Sequence, residues 1–449
     1  MTQRVVITGL GTVNPIGSDV ESFWNSLVQG RTSVGCIPDH WHRYTDLKSG
    51  IWAPLEFPDL SSYNINRFER MQQDPVSLLA LVSAKQALDD SGLSYSLRDK
   101  RKNSFALDSY EPHREGVFIG TGVGGVSSLV SAEANHVFKP QKGVLSDMQE
   151  REAADRIRYY TRYPARFNPF IVSMIMPNAS ASNIGIKYGF QGRSSTNTTA
   201  CASGTVAVGQ GFHAVKSGEV DMALCGGSEY LKDDFGSIFR GFDTAKTLVS
   251  GYDDPDKANR PFDKGRTGFL FSEGGSACLI LESLESAKGR GAGIIAEIKG
   301  YKESFDAHNI MMMDPETKNI RAMTESLIKE AGLAAQDIDY INTHGTGTQV
   351  NDEAEALMIR DLYDKGEGPL VNSTKSFTGH TIGAAGSIEA LVTALSISRG
   401  KVHANRNLTD PIADLNFPYE VKGAEIRNAI THSFAFGGQN AALLLSRYE

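Results

Sequence analysis

The feature that most constrains this chain is that it contains itself twice. Residues 83–93 (SAKQALDDSGL) resemble residues 325–333 (ESLIKEAGL), and each reads as a helix closed by a glycine cap. After the first comes Gly116-Val117-Phe118-Ile119-Gly120-Thr121-Gly122; after the second comes Ile338-Asp339-Tyr340-Ile341-Asn342-Thr343-His344-Gly345. Both read as a buried strand running into a glycine turn. Further on, Glu273-Gly274-Gly275-Ser276-Ala277-Cys278-Leu279-Ile280-Leu281 resembles Phe436-Gly437-Gly438-Gln439-Asn440-Ala441-Ala442-Leu443-Leu444. The order is the same in both copies, so the chain is expected to form two related α/β halves, residues 1–286 and 287–449. Two copies at so long a period are not a solenoid. Alternating strands and helices predict a layered α/β architecture. Residues 95–115 and 137–168 fall outside the repeat and read as polar surface excursions, the second with a helix start at Ser146–Glu152.

With 449 residues, 40% of them hydrophobic, the chain has material for a large core. A net charge of -8 gives no global reason to expect a nucleic-acid partner. The N-terminus reads as a strand rather than a signal peptide, and no apolar run is long enough to span a membrane. Cys36, Cys201, Cys225 and Cys278 show no CxxC spacing, which argues against a disulfide framework or zinc site and for a reducing cytoplasm.

One of these cysteines sits in a different setting. Cys201 lies in Thr199-Ala200-Cys201-Ala202-Ser203-Gly204, where a loop is expected to turn into a helix. Helix N-termini carry unsatisfied N–H groups and partial positive charge, so this position is predicted to favour the thiolate. The small residues that follow predict a helix packed closely on a neighbour, such as its counterpart in the second half. His344 and His380 each lie beside glycine after a predicted strand. No HExxH motif or nearby carboxylate pair accompanies them, so no metal is expected. Lys375, on a predicted loop, can bring positive charge to the same pocket. Asp352, Glu355 and Glu389 are expected behind it, orienting the lysine or capping helices. Phe436, Gly437 and Gly438 can present backbone N–H groups to an oxyanion. Cys36, Cys225 and Cys278 read as structural, as do His40, His42, His113, His136, His213, His403 and His432.

Taken together, the cysteine and histidine motifs resemble those of the β-ketoacyl-acyl-carrier-protein synthases of the thiolase superfamily, closest to the ketosynthase II type and including type II polyketide ketosynthases. The resemblance runs from Val5-Val6-Ile7-Thr8-Gly9 to Ser433-Phe434-Ala435-Phe436-Gly437-Gly438. It implies a five-layered αβαβα fold, an acyl carrier protein as partner, and a homodimer or a heterodimer with a chain-length-factor subunit. It also implies a decarboxylative Claisen condensation with no cofactor. Cys201 would hold the acyl group; His344 and His380 would serve decarboxylation; Lys375 matches the lysine of the Ser-Thr-Lys-Ser motif. An oxyanion hole would form from the N–H groups of Cys201 and Phe436, with Phe436 also the gate. Val123 matches a chain-length filter, and Thr346 and Thr348 are expected in the substrate pocket. Arg67, Arg70 and Lys246 are candidates for docking the acidic carrier.

Two departures stand out. Ala435 replaces the usual glycine before the gate, and the facing loop reads Asp306-Ala307-His308-Asn309 followed by Met311–Met313. A thiolase would need a second catalytic cysteine, and none follows Cys278. A non-elongating acyltransferase or scaffold subunit is the alternative role. The chain reads as a free-standing enzyme.

Overall fold

The computed structural model describes residues 2–43, 46–138, 168–363 and 368–449. Ten strands make one sheet: β1 Val5–Val13, β2 Glu115–Gly120, β3 Ser194–Asn197, β4 Met222–Tyr230, β5 Gly274–Ser283, β6 Ala296–Phe305, β7 Tyr340–Asn342, β8 Leu370–Asn372, β9 Asn428–Phe434 and β10 Gln439–Ser446. Their order is β8-β7-β9-β10-β6-β1-β5-β4-β2-β3. Read outward from the centre, each side runs first, fifth, fourth, second and third strand of its own half. The pairing also repeats. β2 is parallel to β3 and β4, as β7 is to β8 and β9. The fourth and fifth strands, and the fifth and first, pair antiparallel on both sides. The duplication read from glycine-turn strands is thus a repeated topology, joined where β1 meets β6.

Six helices complete the repeat: α1 Pro75–Asp90, α2 Ala179–Tyr188, α3 Ser203–Lys216, α4 Lys318–Glu330, α5 Gln349–Leu362 and α6 Ala385–Arg399. α1 and α4 connect the first strand to the second in their halves, α2 and α5 the second to the third, and α3 and α6 follow the third. α1 packs on the N-terminal strands and on α2, and α4 packs on β6 and β10. α3 and α6 lie between the two halves of the sheet, each touching strands of both and each other. The result is five layers, with α3 and α6 in the middle.

That central position explains their composition. A helix that must bury its whole circumference is apolar all round, and α6 is buried from Ala385 to Ile397. The two helices meet at Gly204 and Gly386. A Cβ on Gly204 would lie 2.7 Å from the Ser387 nitrogen, and one on Gly386 would lie 2.0 Å from Thr205 Oγ1. Each helix therefore needs a hydrogen in place of a side chain where the other crosses.

Three expectations change. Residues 95–115 hold a β-hairpin, Tyr95–Asp99 with Ser104–Leu107, because Tyr95 and Phe105 pack against Tyr188. Lys375 begins a single helical turn, Lys375–Thr378, rather than lying on a loop. His380 consequently follows that turn and not a strand. The excursion 137–168 lies almost wholly outside the described residues, as does the helix start expected at Ser146–Glu152.

Candidate active site

The two central helices begin in the same unusual way. Each is preceded by a 3-10 turn, Ala200–Ala202 before α3 and Ile382–Ala384 before α6. The first residue of each turn has positive φ, +45° at Ala200 and +48° at Ile382. Non-glycine residues pay about 1–3 kcal/mol for such backbone, and β-branched isoleucine is an outlier there. The strain turns the chain sharply enough to aim the next residues at the junction of the halves. In the N-terminal half the next residue is Cys201.

Cys201 is buried, and His380 Nε2 lies 3.1 Å from its Sγ. The Ile382 N–H donates to His380 Nδ1 at 3.3 Å, so the hydrogen-bond network assigns the ring proton to Nε2, facing the sulfur. His344 stands beside it, ring centroids 5.4 Å apart and nearly perpendicular. Lys375 Nζ donates to His344 Nδ1 at 3.2 Å and to the His344 carbonyl at 2.7 Å. It also donates to Glu389. His344 therefore carries its proton on Nε2 as well. Burial, reinforced by the Lys375 charge, pushes both histidines well below the usual imidazole range. Both are neutral rings with an N–H to offer.

The sulfur and ring nitrogens of Cys201, His344 and His380 lie within 4.8 Å of one another, close enough to surround a metal ion. The tautomers oppose that use. A ligating histidine offers a bare nitrogen to the metal and donates from the other. Here both Nδ1 atoms accept from donors, and the Nε2 atoms facing inward are protonated. The arrangement suits a developing negative charge better than a cation.

The thiolate expectation is corrected. Burial pushes the Cys201 thiol up to about 12, against the opposing pull of Lys375 and of the Phe436 N–H directed at the sulfur. Desolvation penalises the charged form, and in this closed pocket it outweighs the neighbours. The resting group is a thiol.

The acids expected behind the site divide their work. Glu389 alone holds the lysine, and burial lifts it to about 7 even with Lys375 opposing. Glu355 instead accepts the N–H groups of His344 and Gly345, each at 2.8 Å. Asp352 accepts those of Thr346, Gly347 and Phe262. These two carboxylates on α5 fix the backbone of the loop that carries His344.

A cavity of about 380 Å³ opens onto this group. Thr346, Thr348, Lys246, Phe436 and Met311–Met313 line it, with Cys201, His344 and His380. Val123 does not; it is 39% exposed, and Ile382, which would meet a Cβ on Gly122, lines the cavity instead. Arg67 and Arg70 lie on the helix Arg67–Gln72 and do not line it either. Of the three residues expected to offer N–H groups, only Phe436 does. Gly437 donates to the Ile310 carbonyl at 2.8 Å and Gly438 to that of Ala435 at 3.0 Å, both from the left-handed backbone of a tight turn.

One important residue went unread in the sequence. Glu229 accepts N–H groups from Gly122, Val123 and Gly383 and the hydroxyl of Thr121. It sews the loop after β2 to the turn before α6. Its signal was a lone carboxylate at the end of the otherwise apolar segment Met222–Tyr230.

Residues 2–287 match the family described as beta-ketoacyl synthase, N-terminal domain, and residues 295–409 its C-terminal domain. The 3-oxoacyl-[acyl-carrier-protein] synthase 2 of Synechocystis is 33% identical over 452 residues, covering 100% of this chain and 99% of the relative. That of Staphylococcus aureus is 33% identical over 455 residues with the same coverage. Among solved structures, a beta-ketoacyl synthase from Burkholderia phymatum superposes with a TM-score of 0.81 at 28% identity, and the ishigamide ketosynthase/chain length factor with 0.81 at 29%. A type II polyketide ketosynthase, solved in complex with its acyl-carrier protein and bound to the hexaketide, gives 0.80 at 26%. All three cover 100% of both chains.

Proposed function

We infer the residue roles from one premise: this chain belongs to the β-ketoacyl synthase family. It is a β-ketoacyl-acyl-carrier-protein synthase, an acyltransferase of fatty acid or type II polyketide biosynthesis. In the first step the Cys201 sulfur attacks an acyl-carrier thioester. The new S–C bond forms, the carrier leaves as its thiol, and the thiol proton goes to that leaving sulfur. In the second step malonyl-carrier protein loses carbon dioxide, and the electrons of the broken C–C bond move onto the thioester oxygen. The Nε2–H groups of His344 and His380 receive that enolate. Its carbon then attacks the acyl-cysteine carbonyl, the acyl C–S bond breaks with Cys201 leaving as thiolate, and β-ketoacyl-carrier protein is released; a proton taken up from solvent returns Cys201 to the thiol. The N–H groups of Cys201 and Phe436 stabilise the oxyanion of each acyl transfer.

Lys375 and Glu389 hold His344 in the donor tautomer, and Asp352 and Glu355 hold its loop. Phe436, Gly437 and Gly438 form the gate, and Thr346 and Thr348 line the substrate pocket. Lys246 at the cavity lining, with Arg67 and Arg70, makes the docking set for an acidic carrier. Val123 contributes to the acyl path only if that path continues past Ile382. The partner is an acyl carrier protein, in a homodimer or beside a chain-length-factor subunit, as in the solved neighbours. A cytoplasmic location fits four free thiols, one of them the nucleophile. Among the described residues no helix is long and apolar enough to cross a membrane.

The observation that carries this reading is the approach of the neutral His380 Nε2–H to Cys201 Sγ at 3.1 Å, with His344 alongside. Intact-mass measurement after incubation with acyl-carrier proteins tests it. An acyl adduct on the wild type that is absent from Cys201→Ala is expected; an adduct retained in Cys201→Ala would sink it.

A further inference from the structure

The two catalytic histidines share a tautomer but reach it by different means. At His344 a side chain, Lys375, donates to Nδ1, with Glu389 behind it. At His380 the donor to Nδ1 is a backbone group, the Ile382 N–H at 3.3 Å. A backbone N–H can only donate, so the ring proton is left on Nε2, 3.1 Å from the Cys201 sulfur. The direction of that one N–H decides which nitrogen of His380 is the donor.

The backbone that aims it is strained. Ile382 has φ +48°, which a β-branched residue adopts only where its surroundings impose it. Here they do so through Glu229, a fully buried side chain at the end of β4 in the other half. Its Oε2 accepts the N–H of the next residue, Gly383, at 3.1 Å and that of Gly122 at 2.6 Å. Its Oε1 accepts the Val123 N–H at 3.3 Å and the Thr121 hydroxyl at 3.0 Å. The two turns are pressed together around this carboxylate. A Cβ on Gly383 would lie 2.3 Å from the Gly122 nitrogen, and one on Gly122 would lie 2.7 Å from Ile382 Cγ2. Two N–H groups converging on one point need an acceptor between them. Without it both are buried donors with no partner, and the turns must part to satisfy them.

We infer that Glu229 is a positioning residue for His380. It fixes the peptide on one side of Ile382, and the φ of Ile382 then points the N–H on the other side at His380 Nδ1. The N-terminal half thus supplies Cys201 and also sets the tautomer of a histidine in the C-terminal half. The catalytic consequence rests on the donor role proposed for His380; the control of the tautomer does not.

Selective ¹⁵N-histidine labelling of the full chain reads the tautomer, with the His380 resonances assigned by their loss in His380→Asn. The wild type is expected to show Nε2 protonated and Nδ1 bare, and the reverse overturns the inference. Glu229→Met removes both acceptors; Glu229→Asp keeps the carboxylate but draws it back by one methylene, out of reach of the facing turn. In each, proton density is expected to move toward Nδ1, and an unchanged tautomer in whichever variant folds overturns the inference. These spectra are read on the resting protein, so they stand whether or not the chain decarboxylates malonyl thioesters. In folded Glu229→Asp, kcat for malonyl-carrier decarboxylation should fall about tenfold or more while KM stays within about twofold, the pattern of a lost transition-state donor. An unchanged kcat overturns the positioning role.

Discussion

The two halves share every strand pairing in their repeat and almost none of their chemistry. Equivalent turns lead into α3 and α6, each opened by a residue of positive φ. The position after that residue is Cys201 in one half and Gly383 in the other. The loop after β2 is Thr121-Gly122-Val123-Gly124 and carries no titratable side chain; the equivalent loop after β7 carries His344. The connection between β4 and β5 runs from Leu231 to Glu273, whereas β9 and β10 are joined by the tight turn that holds Phe436. The scaffold supplies two matched helix starts aimed at one junction. The chemistry arises where the copies differ.

Making the halves alike should therefore destroy the activity. Cys201→Gly copies the C-terminal turn into the N-terminal one, and condensation should fall on the order of 10³-fold or more, without unfolding. An assay of β-ketoacyl-carrier product against the wild type decides it. Next in size, His344→Ala removes one donor to the enolate, and malonyl decarboxylation should fall by about 10²–10³-fold. A drop under tenfold would leave His380 as the sole donor and break the proposed pairing of the rings.

The thiol gives a smaller but sharper test. With the folded value pushed up to about 12, the thiolate fraction of Cys201 grows about tenfold per pH unit from pH 7 to 10. Iodoacetamide labelling, followed by peptide mass in a Cys36→Ala background, should rise over that whole range. A plateau below pH 8 would restore the helix-start thiolate.

The helix crossing and the strained turns come last. Gly204→Ala or Gly386→Ala should each cost about 1–3 kcal/mol in denaturant unfolding, since backbone or Thr205 must move to admit the methyl. Equal losses would show that the crossing is symmetric. Ala200→Gly should do the reverse and stabilise by about 1 kcal/mol by relieving the positive φ. A loss of stability there would mean that the Ala200 side chain contributes more than its backbone costs.

Much of this was legible in the chain. Glycine turns feeding apolar strands exposed the duplication because each half must repeat the same backbone bends. Cys201, His344 and His380 were legible because small neighbours leave room for a reacting molecule. The misreadings share a physical cause. The protonation of Cys201 depends on how dry its pocket is, and dryness is set by residues far away in sequence. Val123, matched by resemblance to a chain-length filter, does not line the cavity at Cys201, whereas Ile382 from the other half does. Glu229 went unread because nothing nearby in sequence needs it; its partners Gly122 and Gly383 are brought together only by the fold.

Glu229 has one more consequence. A single carboxylate accepts N–H groups from turns belonging to both repeats, and each repeat's central helix is roofed by the other's sheet. Neither repeat can be traded for that of a distant relative as a self-contained cassette. Hybrid genes spliced between the repeats should yield folded protein only when both donors agree along this shared seam, so inheritance of one repeat is tied to inheritance of the other.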